Sequence, residues 1–292
     1  MIDIRQVLTA RPAADAPSPW WLRAWFGVTL VAAVFLGYLG LLAPARMGRS
    51  FTWAVLPPLH ARFVGALYLA GAVYLALCLL ARRRSQVAGA AWTIVIFTGL
   101  ISVLNALNPN AFDGNLFAVK LWLAAYVFFP VLGIPIAFLA SVPSPAMSGA
   151  RPVPRWVSTF LLTTGTLFGV IGLALLLARG VMVDAWPWKV TAGTAQFYSA
   201  PFLALAFACL TAARRHTWPE LTPTLAALCT LAVTTLVASL THRKLFDWSD
   251  PAALIWFAIL IALTVATVVT ALNWRTQSEV GGLIPPTEPR IA

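Results

Sequence analysis

Charged residues are scarce in this chain: they make up only 10% of its 292 positions, and nine acidic residues stand against 20 lysines and arginines. The long apolar runs contain no Asp or Glu. Ion-coupled transporters generally place carboxylates within the membrane to carry the proton or the cation. The scarcity therefore disfavours a carboxylate relay through the protein.

Reactive and metal-binding motifs are also missing. The only three cysteines, Cys78, Cys209 and Cys229, lie inside apolar runs, which is typical of small buried hydrophobes and not of a disulfide framework or a metal cluster. The phosphate-binding GxxxxGK(S/T), the zinc-binding HExxH and the redox CxxC patterns do not occur. The sequence predicts no cofactor, indicates no reaction, and implies that coupling to ATP would require a partner.

What the chain has in abundance is apolar sequence. Hydrophobic residues account for 60% of it and its mean hydropathy is +0.84, far above the range of soluble domains. We therefore expect the lipid bilayer to be its principal partner. The formal charge of +11 fits orientation in a membrane with anionic headgroups, and no basic module outside the apolar runs indicates nucleic acid.

Eight apolar runs are long enough to cross a bilayer, which takes about 20 residues of helix. The predicted spans cover about 21–43, 61–81, 87–107, 117–140, 156–179, 195–213, 222–241 and 252–274. The 13 tryptophans fall near the predicted ends, as expected for rings that prefer the headgroup level. Pro130, Pro135 and Pro201 fall inside spans, whereas prolines such as Pro219 and Pro223 mark helix ends. The sequence thus predicts an all-α polytopic integral membrane protein.

Basic residues are distributed unevenly between the two sides of the predicted bundle. Twelve of the 20 fall on the side that holds both termini and the loops at Arg82-Arg83-Arg84 and Arg214-Arg215. Cytoplasmic loops carry such an excess, so we expect both termini in the cytoplasm of a cell with a bacterial-type inner membrane. The first apolar run lacks a small-residue cleavage site and is predicted to remain as the first transmembrane helix.

The second half of the chain repeats the first at a constant offset of 134 residues. The least common matches pair Phe63 with Phe197, Phe112-Asp113 with Phe246-Asp247, and Trp122 with Trp256. We therefore predict two four-helix units, 20–142 and 156–275, joined by a linker at 143–155 and flanked by tails at 1–19 and 276–292. Because four is an even number, both units enter the membrane in the same direction, which makes this a parallel repeat.

Polar residues concentrate in the four loops on the predicted non-cytoplasmic side. The offset matches Asn108 with His242 and Asp113 with Asp247, so a polar residue followed by Phe-Asp occurs twice. A shared pocket on this outer face would bring together the candidate ligand-binding residues, which are Trp53, His60, Arg62, Asn108, Asp113, Trp186, Trp188, His242, Lys244 and Asp247.

Each of these features also has a simpler interpretation. An Asp in Phe-Asp can cap a short turn while the Phe anchors the chain at the interface. The Trp186-Pro187-Trp188 sequence is more typical of an aromatic belt than of a ligand clamp. His60 and His242, without a third ligand, are weak candidates for a metal or haem site, and His242 with Asp247 is a weak candidate for a general base.

Pseudo-symmetry, spans without carboxylates, and helices that contain proline and many threonines favour a non-enzymatic function, the binding or passage of a neutral or lipid-like small molecule between the two units. A second hypothesis makes the chain an accessory or scaffolding subunit that packs against membrane-protein partners. A third makes it a membrane enzyme that acts on a lipid or quinone at the outer face through His242 and Asp247.

Overall fold

The computed structural model describes residues 17–50, 58–81, 84–109, 115–141, 153–215 and 217–282. The described fold is all-α. Its α-helices are α1 (Trp20–Leu42), α2 (Pro44–Ser50), α3 (Pro58–Leu80), α4 (Ala88–Leu107), α5 (Phe117–Ala140), α6 (Arg155–Leu177), α7 (Arg179–Ala185), α8 (Ala192–Ala212), α9 (Trp218–Thr241) and α10 (Pro251–Gly282). Eight of them, all except α2 and α7, are long and apolar enough to span a membrane. The chain therefore has the architecture of a multi-pass membrane protein.

The eight predicted spans are confirmed, and the largest shift at a start is at α9. This helix begins at Trp218, because Pro219 in its first turn has no N–H to leave unpaired. Pro223 and Glu220 therefore lie inside the helix, so the expectations that Pro223 marks a helix end and that no carboxylate enters a span are wrong. Glu220 is in the first turn, where the helix dipole favours a carboxylate, and it accepts a hydrogen bond from the Thr217 hydroxyl.

Two seven-residue helices, α2 and α7, are not predicted by the apolar pattern. Each follows the first long helix of its half: α2 begins at Pro44 after α1 ends at Leu42, and α7 begins at Arg179 after α6 ends at Leu177. α2 packs on α1 and α3, and α7 packs on α6 and α8. Their sequences are too short to show a helical period and too polar to read as spans.

Four helices, α3, α4, α8 and α9, form the centre of the bundle. Between 44% and 61% of the most apolar window of each is buried, against 28% to 33% for α1, α5, α6 and α10. α3 packs against α1 and α9, and α8 packs against α6 and α4, while α5 lies on α4 and α10 lies on α9. The outer helices leave most of their apolar side chains exposed on the surface that faces lipid.

Glycines allow α1 and α3 to cross at close range. A β-carbon on Gly40 would lie 2.5 Å from the Ala61 carbonyl oxygen and 2.5 Å from the Gly65 α-carbon, so no larger residue fits there without a shift of the backbone. In the second half, a β-carbon on Gly172 of α6 would lie 2.8 Å from Leu203 Cγ of α8. Small residues at such crossings are the usual means by which membrane helices pack tightly.

Contacts at both ends of the bundle show that α3 and α8 run in the same direction. His60, near the start of α3, contacts Tyr198 of α8 and the Lys189 carbonyl just before α8. At the opposite end, Gly89 at the start of α4 faces the Thr211 hydroxyl near the end of α8. We call the end that holds His60 the histidine end and the opposite one the arginine end.

Candidate functional site

A dense group of aromatic rings lies near the histidine end, between α3, α8 and α10. The Phe63 ring is at its centre, with centroids 5.0 Å from Tyr198, 5.5 Å from Trp188 and 5.7 Å from Trp256, all edge to face. Trp186 completes the set at 6.3 Å. We call these five residues the aromatic cluster. Edge-to-face pairs at such distances add to the free energy of burial, so the cluster fastens the first half of the chain to the second.

Trp186 and Trp188 are buried, with only 6% and 4% of their surfaces exposed. The interpretation of this pair as an aromatic belt is therefore wrong: the chain bends at Pro187 between α7 and α8, and the two rings turn inward to pack 5.2 Å apart. Phe246, expected as an interfacial anchor, is also buried, and its ring packs 5.8 Å from Trp188.

His60 is buried in the first turn of α3 and connects that helix to the second half. Its Nε2 lies 3.1 Å from the Lys189 carbonyl oxygen, which only accepts, so we assign the proton to Nε2. Nδ1 then accepts from the Tyr198 hydroxyl at 2.7 Å, and Trp188 Nε1 lies 3.4 Å from the same atom. Both ring nitrogens are engaged, which disfavours His60 as a ligand of a metal or haem. Among the described residues, no group of three or more His, Cys, Asp or Glu could hold a metal ion.

Arg62 and His242 meet at the histidine end, with 2.7 Å between Arg62 Nη1 and His242 Nε2. A guanidinium only donates, so Nε2 accepts the hydrogen bond and the imidazole is neutral. Partial burial lowers the pKa of His242 from its ordinary value of 6.5, and the positive charge of Arg62 lowers it further. The sequence analysis placed both residues on this face, and the structure brings them into contact.

Asn108 makes the corresponding contact in the other half of the chain. Its Nδ2 donates to Gln196 Oε1 at 3.4 Å, and Arg179 also donates to that oxygen at 3.4 Å. Gln196 follows Arg62 by the same 134 positions by which His242 follows Asn108. Two other predicted site residues, Trp53 and Asp113, lie outside the described residues.

Asp247 and Lys244 are exposed at the histidine end. The Asp247 carboxylate accepts hydrogen bonds from the Ser249 hydroxyl at 2.6 Å and the Ser249 amide at 2.9 Å, and these bonds lower its pKa. The interpretation of Asp247 as the cap of a short turn is confirmed. Because Nε2 of His242 faces Arg62, the described contacts do not form a base oriented by Asp247.

The helices also enclose a cavity of about 310 Å³ that the sequence did not predict. We call it the first cavity. It is lined by α1, α3, α4 and α5 of the first half and by α8 and α9 of the second. No charged residue is among the described residues that line it, and its polar groups are hydroxyls of tyrosines and threonines and the indole of Trp122.

The hydroxyls in the first cavity bond mainly to one another. Tyr68 of α3 and Tyr126 of α5 share a hydrogen bond, and the Tyr74 hydroxyl bonds those of Thr93 and Thr224. Three of the five tyrosines of the chain therefore line this one space. Tyrosines deep within apolar runs were the sequence signal for the cavity, because a buried hydroxyl needs a partner.

The first cavity reaches the outer surface of the bundle between α1 and α5. Phe35 of α1 and Leu121 of α5 both line it, yet they are 58% and 60% exposed. Towards the arginine end the same two helices close on each other, where the rings of Trp25 and Phe129 pack 5.2 Å apart. The opening therefore faces lipid.

A second cavity, of about 400 Å³, is lined by α6, α7, α8, α9 and α10 with two residues of α3. Its α10 residues follow α5 residues of the first cavity by 134 positions: Ala252, Ile255, Trp256, Ile259, Leu260 and Leu263 correspond to Ala118, Leu121, Trp122, Ala125, Tyr126 and Phe129. The polar groups differ, because Phe202 and Leu260 stand where the first cavity has Tyr68 and Tyr126.

Together the fold and the two cavities define an all-α multi-pass membrane protein with internal apolar spaces. No protein-family model matches the chain, and neither does a curated protein or a solved structure.

Proposed function

We propose that the protein binds a neutral, lipid-like small molecule in the first cavity and is not an enzyme at this site. The observation that carries the proposal is the lining of that cavity, which joins helices of both halves and includes no charged side chain among the described residues. Removing a charge from water into such a lining is unfavourable, whereas an apolar molecule gains free energy from burial.

The hydroxyls narrow the class of ligand. Because the Tyr68 and Tyr126 hydroxyls already bond each other, a ligand need supply at most one or two hydrogen bonds. The exposed lips at Phe35 and Leu121 favour entry from the bilayer over entry from water. A small amphiphile or sterol-like molecule with an apolar body and a hydroxyl or carbonyl group has this chemistry, and lateral passage between the halves is the form of transport that such an opening supports.

The same proposal includes the tandem repeat, with units 20–142 and 156–275 entering the membrane in the same direction. The packing of α1 on α3 has its counterpart in α6 on α8, that of α3 on α9 in α8 on α4, and that of α4 on α5 in α9 on α10. The short helices α2 and α7 occupy corresponding places in the chain. The common direction of α3 and α8 supports the parallel arrangement over an inverted one.

Side-chain contacts also support the repeat. The Trp256 indole donates to the Ser239 hydroxyl at 3.0 Å, and Trp122 and Asn105 occupy the positions 134 residues earlier. The Arg62–His242 and Gln196–Asn108 contacts are related by the same offset. A chance resemblance between two apolar halves would not reproduce such long-range polar pairs.

We further propose that the arginine end faces the cytoplasm of a bacterial-type inner membrane, with both termini on that side. The basic loops on either side of Arg84 and Arg215 support this orientation by the positive-inside rule.

Gly71 provides a direct test of binding in the first cavity. It lines the cavity, and a β-carbon there would meet nothing within 4 Å, so Gly71→Leu fills the space without forcing the backbone. Gly27 of α1 is equally open but does not line the cavity, so Gly27→Leu is the matched control. Both changes raise helix propensity by the same amount.

The assay is equilibrium binding of 1-aminoanthracene, a neutral fluorophore, to the protein in phosphatidylcholine nanodiscs. We expect saturable binding to the wild type and to Gly27→Leu, and a loss of at least about tenfold in affinity for Gly71→Leu, since the added side chain takes the ligand's place. Equal affinity in all three proteins would overturn the proposal.

A further inference from the structure

The second cavity contains two polar groups that no part of the described protein satisfies. Trp186 and Thr235 both line it and are 6% and 2% exposed. Neither Trp186 Nε1 nor Thr235 Oγ1 has a hydrogen-bond partner, and neither atom is open to water. Buried donors without partners are rare in folded proteins and costly to maintain, so they indicate a group that is supplied from elsewhere.

Thr235 differs in this respect from its neighbours on α9. Four other threonines of this helix donate to the carbonyl four residues earlier: Thr222, Thr230, Thr234 and Thr241. That bond is the ordinary way for a threonine to satisfy its hydroxyl in a membrane helix. The Thr235 hydroxyl is held away from it, beside the cavity.

We propose that the second cavity is a separate ligand site for an apolar molecule that carries a neutral carbonyl oxygen, which accepts hydrogen bonds from Trp186 and Thr235. An indole N–H only donates, so the ligand atom must be an acceptor. Asp250 is the one charged residue among the described residues of the lining, and its negative charge disfavours a carboxylate ligand. An ester or a quinone carbonyl meets both conditions.

The first cavity does not offer the same site. The residue that corresponds to Thr235 there is Ile101, and the hydroxyls of Tyr68 and Tyr126 are satisfied by each other. Related spaces with different polar groups select different molecules, so this site stands independently of the function proposed for the first cavity.

Thr235→Val is the decisive variant, because it preserves shape and removes only the hydroxyl. Thr234→Val, at the adjacent position and with a hydroxyl that bonds the Thr230 carbonyl, is the matched control. Three probes are titrated into the nanodisc-embedded protein: a quinone with a ten-carbon tail, dioctanoylglycerol, and decylbenzene, which has no carbonyl.

We expect Thr235→Val to weaken binding of the carbonyl probe by about threefold to tenfold and to leave decylbenzene unchanged, with Thr234→Val close to the wild type for all three. The infrared carbonyl stretch of the bound probe, lowered by hydrogen bonding, should return towards its free frequency in Thr235→Val. The carbonyl probe that binds more tightly distinguishes a quinone from a glycerolipid ester.

The unliganded Thr235→Val protein should be at least as stable to heat as the wild type, because the lost hydroxyl has no partner. The effect of Thr235→Val on carbonyl binding should also persist in Gly71→Leu, which separates this site from the first cavity. The proposal is overturned if neither carbonyl probe binds, if Thr235→Val binds them as the wild type does, or if decylbenzene loses affinity equally.

Discussion

The Arg62 guanidinium donates a hydrogen bond to Nε2 of His242 across 2.7 Å, although 180 positions separate the two residues in the chain. The contact joins the start of α3 in the first half to the end of α9 in the second. It requires a neutral imidazole, because a protonated one would present a donor to a donor beside a fixed positive charge. The contact between the halves at the histidine end is therefore sensitive to the protonation of one residue.

The first prediction concerns that protonation. The pKa of His242 is lowered in the folded protein, so its contribution to stability is fully present above the ordinary pKa of 6.5 and is lost as the pH falls through the lowered value. The thermal midpoint in detergent should fall between pH 7 and pH 5 by more in the wild type than in His242→Gln.

Arg62→Gln is the control for the cause of the shift. Removing the guanidinium should raise the pKa of His242 in an NMR titration with ¹³C-labelled histidine, since the Arg62 charge is one of its two causes. An unchanged His242 titration in Arg62→Gln would contradict the assigned contact.

The second prediction concerns the crossing of α1 and α3. Gly40→Ala places a β-carbon 2.5 Å from both the Ala61 carbonyl oxygen and the Gly65 α-carbon, and should destabilise the protein by about 1–3 kcal/mol. Gly27→Ala, in the same helix with nothing within 4 Å, should be neutral or slightly stabilising. Chemical denaturation in detergent compares them, and equal stabilities would show that the helices do not cross at these glycines.

The third prediction concerns His60. His60→Ala leaves the Tyr198 hydroxyl and the Lys189 carbonyl without their partner and should cost about 2–4 kcal/mol. Tyr198→Phe removes one of these bonds and leaves Trp188 as a donor to Nδ1, so it should cost less, about 1 kcal/mol. Metal content by mass spectrometry should be the same in wild type and His60→Ala. A metal lost with His60 would assign this residue a ligand role instead.

The fourth prediction concerns orientation in the membrane. In a variant without the native cysteines, Lys244→Cys at the histidine end should react with a membrane-impermeant maleimide added to intact cells. Arg155→Cys, exposed at the start of α6 at the arginine end, should react only after the membrane is opened. The opposite pattern would reverse the proposed topology.

The sequence predicted the helices well because each span is a physical requirement for about 20 apolar residues, and a bilayer tolerates few alternatives. It missed α2 and α7, which satisfy no such requirement. The offset of 134 residues matched Asn108 with His242, but nothing in the sequence paired His242 with Arg62 instead of Asp247, because that choice depends on how α3 approaches α9.

The cavities were beyond prediction for a similar reason. A void forms where side chains from several helices fail to fill the space between them, as at Gly71 and the small residues around it. Trp186 and Trp188 illustrate the same limit: their composition is typical of an interfacial belt, and only the bend at Pro187 turns the rings inward.

The most direct measurement for the first cavity is an electron cryomicroscopy map of the protein in nanodiscs made from native lipid. We predict elongated density that does not belong to the chain, extending from the Tyr68–Tyr126 pair to the opening between Phe35 and Leu121. A well-resolved map in which α1 and α5 close on each other along their length, with no space between them, would contradict the proposed binding site.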